Sequence, residues 1–362
     1  MAYDHALTHC TIVPPHMLEH LARAADPELA DPARSTLVHD SSVRTRRRLT
    51  AVLGAPEAVA GEAVPLHPRR TVDDAHHTQN LPGTQVRAEG GQESADRSVD
   101  QAYDGLGHTF DLYQKAYGRN SVDGRGLPLI ATVHYGEKYD NAFWNGEQMV
   151  FGDGDGTIFL DFTGSYDVIG HELTHGVTQY TANLEYYGQS GALNESVSDV
   201  FGSIIKQWVL GQTVDRADWL IGAELLGPTV RGYGNHDRAL RSMKAPGTAY
   251  DDPRLGGRDP QPASMDDYVR TSTDNGGVHI NSGIPNHAFY LVATALGGHS
   301  WERAGQIWYD TLTDGQLPSD AGFAVFAALT ATCAKQRYGD GEEHQAVLDA
   351  WSRVGVPANG SA

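Results

Sequence analysis

One stretch restricts this chain more than any other: Asp167-Val168-Ile169-Gly170-His171-Glu172-Leu173-Thr174-His175-Gly176-Val177. Histidines four apart lie one above the other on a helix face. A helix here therefore offers two imidazole nitrogens to one metal ion. Zinc suits such donors, because it takes His nitrogen and carboxylate oxygen at about 2.0–2.2 Å without a strong geometric demand. Glu172 follows His171 directly and projects beside the metal rather than onto it. A carboxylate there can take a proton from a water held by the metal. Two surface histidines on an ordinary helix would give the same spacing, so the neighbours decide.

The pattern His-Glu-x-x-His is that of zinc metalloproteases, and hydrolysis needs a third protein ligand with one position left open. Asn194-Glu195-Ser196-Val197-Ser198-Asp199 supplies it. Glu195 and Asp199 share one face of the next helix, so Glu195 can ligate. Asp199 can accept the other N–H of a ligand histidine and fix its tautomer. In Asp274-Asn275-Gly276-Gly277-Val278-His279, two glycines let the backbone come close to a ligand. His279, oriented by Asp274, could stabilise an oxyanion or shuttle a proton. Asp140-Asn141-Ala142-Phe143-Trp144-Asn145-Gly146 reads as a strand edge able to hold an extended peptide by main-chain hydrogen bonds.

The chain has 362 residues, enough for two domains and an appendage. Its net charge of -19 argues against nucleic acid or an anionic membrane as partner, since both need basic surface. Cys10 and Cys333 sit near opposite ends and imply no disulfide framework. The N-terminus does not read as a secretory signal, having neither a basic start nor a long apolar core.

Within residues 1–50, Pro14-Pro15 starts a short helix carrying Met17, Leu18 and Leu21, and a second short helix begins between Arg34 and Val43. His16 and His20 are read as solvent-facing. Arg44 to Arg48 and the Ala-, Gly-, Pro- and Val-rich tract to about Pro68 read as a cleavable linker. Residues 70–162 are mostly strand and turn, interrupted by a helix over 100–117. From Tyr166 the pattern is helical. The expected class is α+β, with a β-rich lobe, a helical lobe and the His171 helix at their junction, where clefts form.

These segments together resemble the thermolysin family of zinc endopeptidases. The residues that carry the resemblance are His134-Tyr135-Gly136, Asn141 to Gly146, Gly170 to His175, Ser190 to Asp199, Leu240-Arg241-Ser242-Met243 and Asp274 to Gly283, in the family's order. Val13-Pro14-Pro15-His16-Met17-Leu18 resembles the short inhibitory propeptide of the protealysin-type branch. The resemblance implies a thermolysin-like two-lobe architecture. It divides the chain into a propeptide and linker (1–55), a β-rich lobe with the zinc helix (56–183) and a helical lobe (184–362). It also implies one catalytic zinc on His171, His175 and Glu195, with Glu172 activating the water and passing its proton to the leaving amine.

His279 and Tyr186 would stabilise the oxyanion, with Asp274 orienting His279 and Asp199 supporting the zinc shell. Asn141 and the Ala142 carbonyl would hold the substrate backbone, and Arg241 the carbonyl after the scissile bond. Phe159, Phe162, Val168, Ile221 and Leu240 would line an apolar pocket, implying cleavage before bulky hydrophobic residues. Asp167 and Asp218 match calcium ligands, but Lys206 stands where a shared glutamate is expected, so at most one calcium is expected. Peptide substrates, inhibition by the chain's own N-terminal segment and a monomeric state follow from the same resemblance. So does action outside the cell, with an intracellular site as the alternative.

Two other readings fit parts of the pattern. A non-catalytic zinc-binding module would have no reason to keep Glu172, His279, Tyr186, Asp274 and Arg241 together. An aminopeptidase shares the zinc pattern and a downstream glutamate, but the peptide-edge and Asp274–His279 segments favour the endopeptidase.

Overall fold

The apolar runs of the first half assemble into one six-stranded sheet. The computed structural model describes residues 10–53, 66–234 and 237–358. Its sheet contains β1 (Cys10–Thr11), β2 (Arg70–Asp74), β3 (Thr84–Ala88), β4 (Leu129–Val133), β5 (Ala142–Trp144) and β6 (Met149–Phe151), in the order β1-β5-β6-β4-β2-β3. β2, β4 and β6 are parallel neighbours, and the other pairings are antiparallel. Leu129, Ala131 and Val133 of β4 are all buried, as expected of a strand with parallel neighbours on both sides. β1 comes from the N-terminal segment and closes the β5 edge, with Cys10 opposite Trp144 and Thr11 opposite Phe143.

In the N-terminal segment, α1 (Pro15–Leu21) has proline in its first turn and buries Met17, Leu18 and Leu21. α2 (Pro27–Leu53) follows. α3 (Arg97–Tyr117) lies on the sheet. The Asp96 side chain accepts from Ser98 N at its start, and Gly118 ends it in the left-handed region. After α4 (Tyr166–Gln179), the helical lobe is built from α5 (Gly188–Leu210), α6 (Asp274–Asn281), α7 (Gly283–Leu296), α8 (Arg303–Thr313), α9 (Phe323–Tyr338) and α10 (Glu342–Arg353). Between α5 and α6 a short antiparallel pair, β7 (Leu220–Ile221) and β8 (Arg241–Ser242), borders the cleft. The architecture is therefore α+β, with the zinc-pattern helix α4 where the lobes meet. Among the described residues, no helix is long and apolar enough to cross a membrane.

The approach of α4 to α5 is the contact that matters for chemistry. A Cβ at Gly202 would lie 2.4 Å from the Asp167 carbonyl oxygen, and one at Gly170 would lie 2.5 Å from Ile205 Cδ1. Only hydrogen at both positions lets the two backbones come this close, and that closeness brings Glu195 to the two histidines.

Three expectations need correction. His16 is not solvent-facing: it is half-buried, its Nε2 lies 3.0 Å from the Tyr250 hydroxyl, and burial pushes its pKa down to about 4. The proline turn aims the first residues of α1 at the second lobe, and only His20 of the pair is exposed. The second N-terminal helix is not short. It continues through Arg44–Arg48, because arginine and leucine are good helix formers and nothing interrupts it before Leu53. The basic run is therefore helix rather than linker, and residues 54–65 of the expected linker lie outside the described residues. Cys333 is a buried free thiol.

Candidate active site

Helix α4 places His171, Glu172 and His175 in a fully or almost fully buried position. Each histidine is oriented through its Nδ1. That of His171 lies 2.8 Å from Asp199 Oδ1, and that of His175 lies 2.8 Å from Asn194 Oδ1 and 3.0 Å from Ser198 Oγ. A proton on each Nδ1 serves those oxygens, which leaves both Nε2 atoms as lone-pair donors. The two Nε2 atoms face each other at 3.0 Å. Glu195 Oε2 is 3.5 Å from His171 Nε2, and Oε1 is 3.5 Å from His175 Nε2. Burial and the neighbouring His171 hold the pKa of His175 well below the usual histidine range, so its ring is neutral.

This donor set fits zinc. Bonds of about 2.0–2.1 Å in a tetrahedron put donor atoms roughly 3.4 Å apart, close to the three separations seen. Two lone pairs and a carboxylate converging in a dry pocket repel one another unless a cation lies between them. His171, Glu172 and His175 also stand out as a buried group whose side-chain donors could hold a metal ion.

Glu172 is tied to β5, its Oε2 accepting from Trp144 N at 3.0 Å. Opposite it, the Tyr186 hydroxyl donates to Glu195 Oε1 and lies 3.2 Å from His279 Nε2. His279 follows four consecutive left-handed residues, Asp274 to Gly277, and this turn folds Asp274 back onto it. Asp274 Oδ1 lies 2.6 Å from His279 Nδ1, and Oδ2 accepts from His279 N at 2.9 Å. Burial opposes a charge on His279, but Asp274 and Glu195 outweigh it and raise its pKa to about 9.

Arg241 grips Asp199 with two hydrogen bonds of 2.8 Å, and Asn286 Nδ2 donates to the same carboxylate at 2.8 Å. These contacts support the partner of His171, and Arg241 holds the Asp199 carboxyl far below its usual pKa despite burial. Sequence reasoning assigned no role to Asn194, Ser198 or Asn286. The first two had a usable signal, since they are four apart beside Glu195 and Asp199. Asn286 sits on α7 and had none.

The N-terminal segment runs through this cleft. Val13 N donates to Asn141 Oδ1 at 3.0 Å, and Ile12 N donates to the Ala142 carbonyl at 3.3 Å. Arg241 donates to the Ile12 carbonyl at 3.0 Å, and the Thr11 carbonyl lies 3.0 Å from His279 Nε2. Ile12 is fully buried in the apolar cluster that contains Phe159, Phe162, Val168, Ile221 and Leu240. Residues 36–40 of α2 add a polar contact outside the cleft. Asp140 N donates to Thr36 Oγ1 at 3.0 Å, and Tyr139 OH and Asn141 Nδ2 donate to the two oxygens of Asp40 at 2.5 and 3.1 Å. Tyr135 OH lies 2.7 Å from His39 Nε2.

Asp167 and Asp218, the expected calcium ligands, face the Lys206 ammonium instead. Its Nζ lies 3.4 Å from Asp167, 3.0 Å from Asp218 and 3.2 Å from Glu224. Burial opposes this charge, but the three carboxylates outweigh it and raise the Lys206 pKa.

The family model for the thermolysin metallopeptidase catalytic domain matches residues 62–179, and that for the thermolysin metallopeptidase alpha-helical domain matches residues 182–356. An extracellular metalloprotease of Pectobacterium carotovorum subsp. carotovorum is 52% identical over 348 residues, 96% of this chain and 96% of that protein. Protease PrtS of a Photorhabdus strain is 46% identical over 350 residues, 95% of this chain and 91% of its own. Among solved structures, the precursor of protealysin, a metalloproteinase from Serratia proteamaculans, superposes with a TM-score of 0.85 at 52% identity. That match covers 96% of this chain and 99% of the other.

Proposed function

The chain belongs to the thermolysin metallopeptidase family, and we propose that it is a latent zinc endopeptidase whose N-terminal segment lies in its own substrate cleft. Members of the family hydrolyse peptide bonds and depend on zinc. The observation that carries the proposal is the path of residues 11–13. The four main-chain contacts described above each fall on a group that a peptide substrate would use.

His171, His175 and Glu195 are the residues that would hold zinc. When bound, the ion supplies a Lewis acid that polarises the scissile carbonyl and acidifies a water. The Ala142 carbonyl and Asn141 Oδ1 accept the N–H groups of the two residues after the scissile bond, and Arg241 donates to the carbonyl between them. His279 and Tyr186 donate hydrogen bonds to the oxygen on which charge develops, with Asp274 keeping His279 protonated. Glu172 takes the proton of the attacking water and gives it to the leaving nitrogen. The apolar wall of Phe159, Phe162, Val168, Ile221 and Leu240, with Ile12 in the same cluster, supports cleavage before a bulky hydrophobic residue. Lys206 neutralises the carboxylates that would otherwise gather calcium, so the protein takes at most one such ion. The names of the relatives support action outside the cell. We divide the chain into a propeptide with its linker to residue 55, a first lobe to residue 183 and a second lobe beyond.

Glu172→Gln keeps the ligands of the metal and removes the base. We expect this variant to retain zinc, to stay uncleaved in a mass-spectrometric time course and to lose casein hydrolysis. Normal processing and activity would overturn the mechanism. An internally quenched peptide and an aminoacyl fluorophore separate the endopeptidase from an aminopeptidase.

A further inference from the structure

A second group of metal-ligating side chains lies away from the cleft, at the carboxyl ends of three adjacent parallel strands. His77 follows β2, His134 follows β4 and Asp153 follows β6. In sheets of this kind, ligands collect outside such strand ends. One donor atom from each side chain lies within 4.8 Å of the others. His134 Nδ1 is 2.8 Å from Asp153 Oδ1, and His77 Nδ1 is 3.3 Å from Asp153 Oδ2.

We propose that His77, His134 and Asp153 form a second binding site for a divalent transition metal such as Zn2+. The metal would replace the proton shared by His134 Nδ1 and Asp153 Oδ1, releasing it to solvent. Two imidazoles and one carboxylate form a donor set that zinc accepts; the 3.3 Å from His77 Nδ1 to Asp153 Oδ2 is near the roughly 3.4 Å of a tetrahedral shell, and the 2.8 Å hydrogen bond from His134 Nδ1 to Asp153 Oδ1 would open by about 0.6 Å to admit the ion. The far nitrogen of His134 is already oriented, with its Nε2 2.9 Å from Asp96 Oδ2. Asp96 is itself held in place as the cap of α3. A histidine ligand steadied by a carboxylate on its other nitrogen is the usual arrangement of such sites.

The backbone is built for the same purpose. His77 N donates to the His134 carbonyl at 2.8 Å, and Gly136 N donates to the Thr78 carbonyl at 2.9 Å, so the two loops are joined. His77 and His134 both take left-handed conformations, with φ of 57° and 52°. For residues with a side chain such strain is sustained where the surroundings impose it, and it clusters at ligand sites. The His77 side chain is 60% exposed and Asp153 28%, so an ion reaches the site from solvent and keeps a water ligand. Occupancy would tie the first loop of the peptidase lobe to the ends of β4 and β6.

The test counts metal on the full-length chain in the Glu172→Gln background, which holds the catalytic ion but cannot cut itself. After equilibration with buffered micromolar free Zn2+, bound zinc is measured by elemental mass spectrometry. We expect about two ions per chain in this parent, about one in its His77→Ala and Asp153→Asn derivatives, and about two in a His20→Ala control. Retention of the catalytic ion reports that each variant is folded. One ion per chain in the parent, or a second ion that survives both derivatives, would overturn the proposal.

Discussion

Asp40 is the residue through which latency is best measured. It is 3% exposed, and both carboxylate oxygens accept from the peptidase lobe, one from Tyr139 and the other from Asn141. The same Asn141 amide presents its oxygen to Val13, so Asp40 also orients the group that grips the cleft strand. A hydrogen bond to a charged acceptor contributes about 1.5–3 kcal/mol net. Asp40→Ala removes two and leaves a buried hydroxyl and amide unsatisfied while the segment is docked. In the undocked state water satisfies all of them. Returning the carboxylate to water offsets part of the loss, so we take about 3 kcal/mol against docking, or about 150-fold in the docking equilibrium. The assay is the initial rate of an internally quenched peptide with the intact chain, before any N-terminal cleavage. The rate of Asp40→Ala should exceed that of the parent by about two orders of magnitude. Val38→Ala, on the exposed face of the same helix at 72% exposure, should leave the rate unchanged. Equal rates in Asp40→Ala and the parent, with both chains folded, would refute the view that this polar contact holds the cleft shut.

Removing the Lys206 ammonium leaves Asp167, Asp218 and Glu224 facing one another. Lys206→Ala should lose about 3 kcal/mol in urea unfolding, and millimolar Ca2+ should restore much of it. Asn194→Ala leaves His175 Nδ1 with Ser198 Oγ alone and should weaken zinc binding about 10-fold in a chelator competition. Glu89 accepts from Arg70 N, Nε and NH2 and from the Tyr103 hydroxyl. The Arg70 side chain in particular pulls the Glu89 pKa down to about 2. A depressed folded-state pKa contributes stability that is present above about pH 4.5 and lost as pH falls toward 2. The pair is partly exposed, so Glu89→Gln should cost only about 1 kcal/mol at pH 7. That difference should shrink between pH 5 and pH 3 in urea midpoints, and a difference independent of pH would contradict the assignment.

The residues grouped around the candidate metal site were legible because they follow helical spacing: 171 with 175, and 195 with 199, each pair on one face of one element. The helical lobe was legible for the same reason. The polar contact between α2 and the first lobe was not, because Asp40 meets Tyr139 and Asn141 across about a hundred residues and neither side has a period. His16 looked like a surface residue because the helix pattern of α1 does not say which lobe its first turn meets. The full length of α2 was hidden by composition: a run of arginines beside an Ala-, Gly- and Pro-rich tract suits a linker as well as the helix that its propensity favours. The His77–His134–Asp153 group was invisible for a further reason, since parallel strand order, absent from the sequence, is what gathers its members.

The pairing of β1 with β5 has a consequence for the chain's solubility. An uncovered strand presents a row of unpaired amides and carbonyls on which any other extended chain can add, the route to edge-to-edge aggregation. A protein that binds peptides by strand addition must carry such an edge to work. Here the edge reads Ala142-Phe143-Trp144, apolar throughout. Within the full-length chain its partner is intramolecular, so the strand is paired as soon as the sheet forms. Were the first segment to leave, the row would face water, but β5 would then be a three-residue strand set in a finished cleft, shorter than the strands that usually pair.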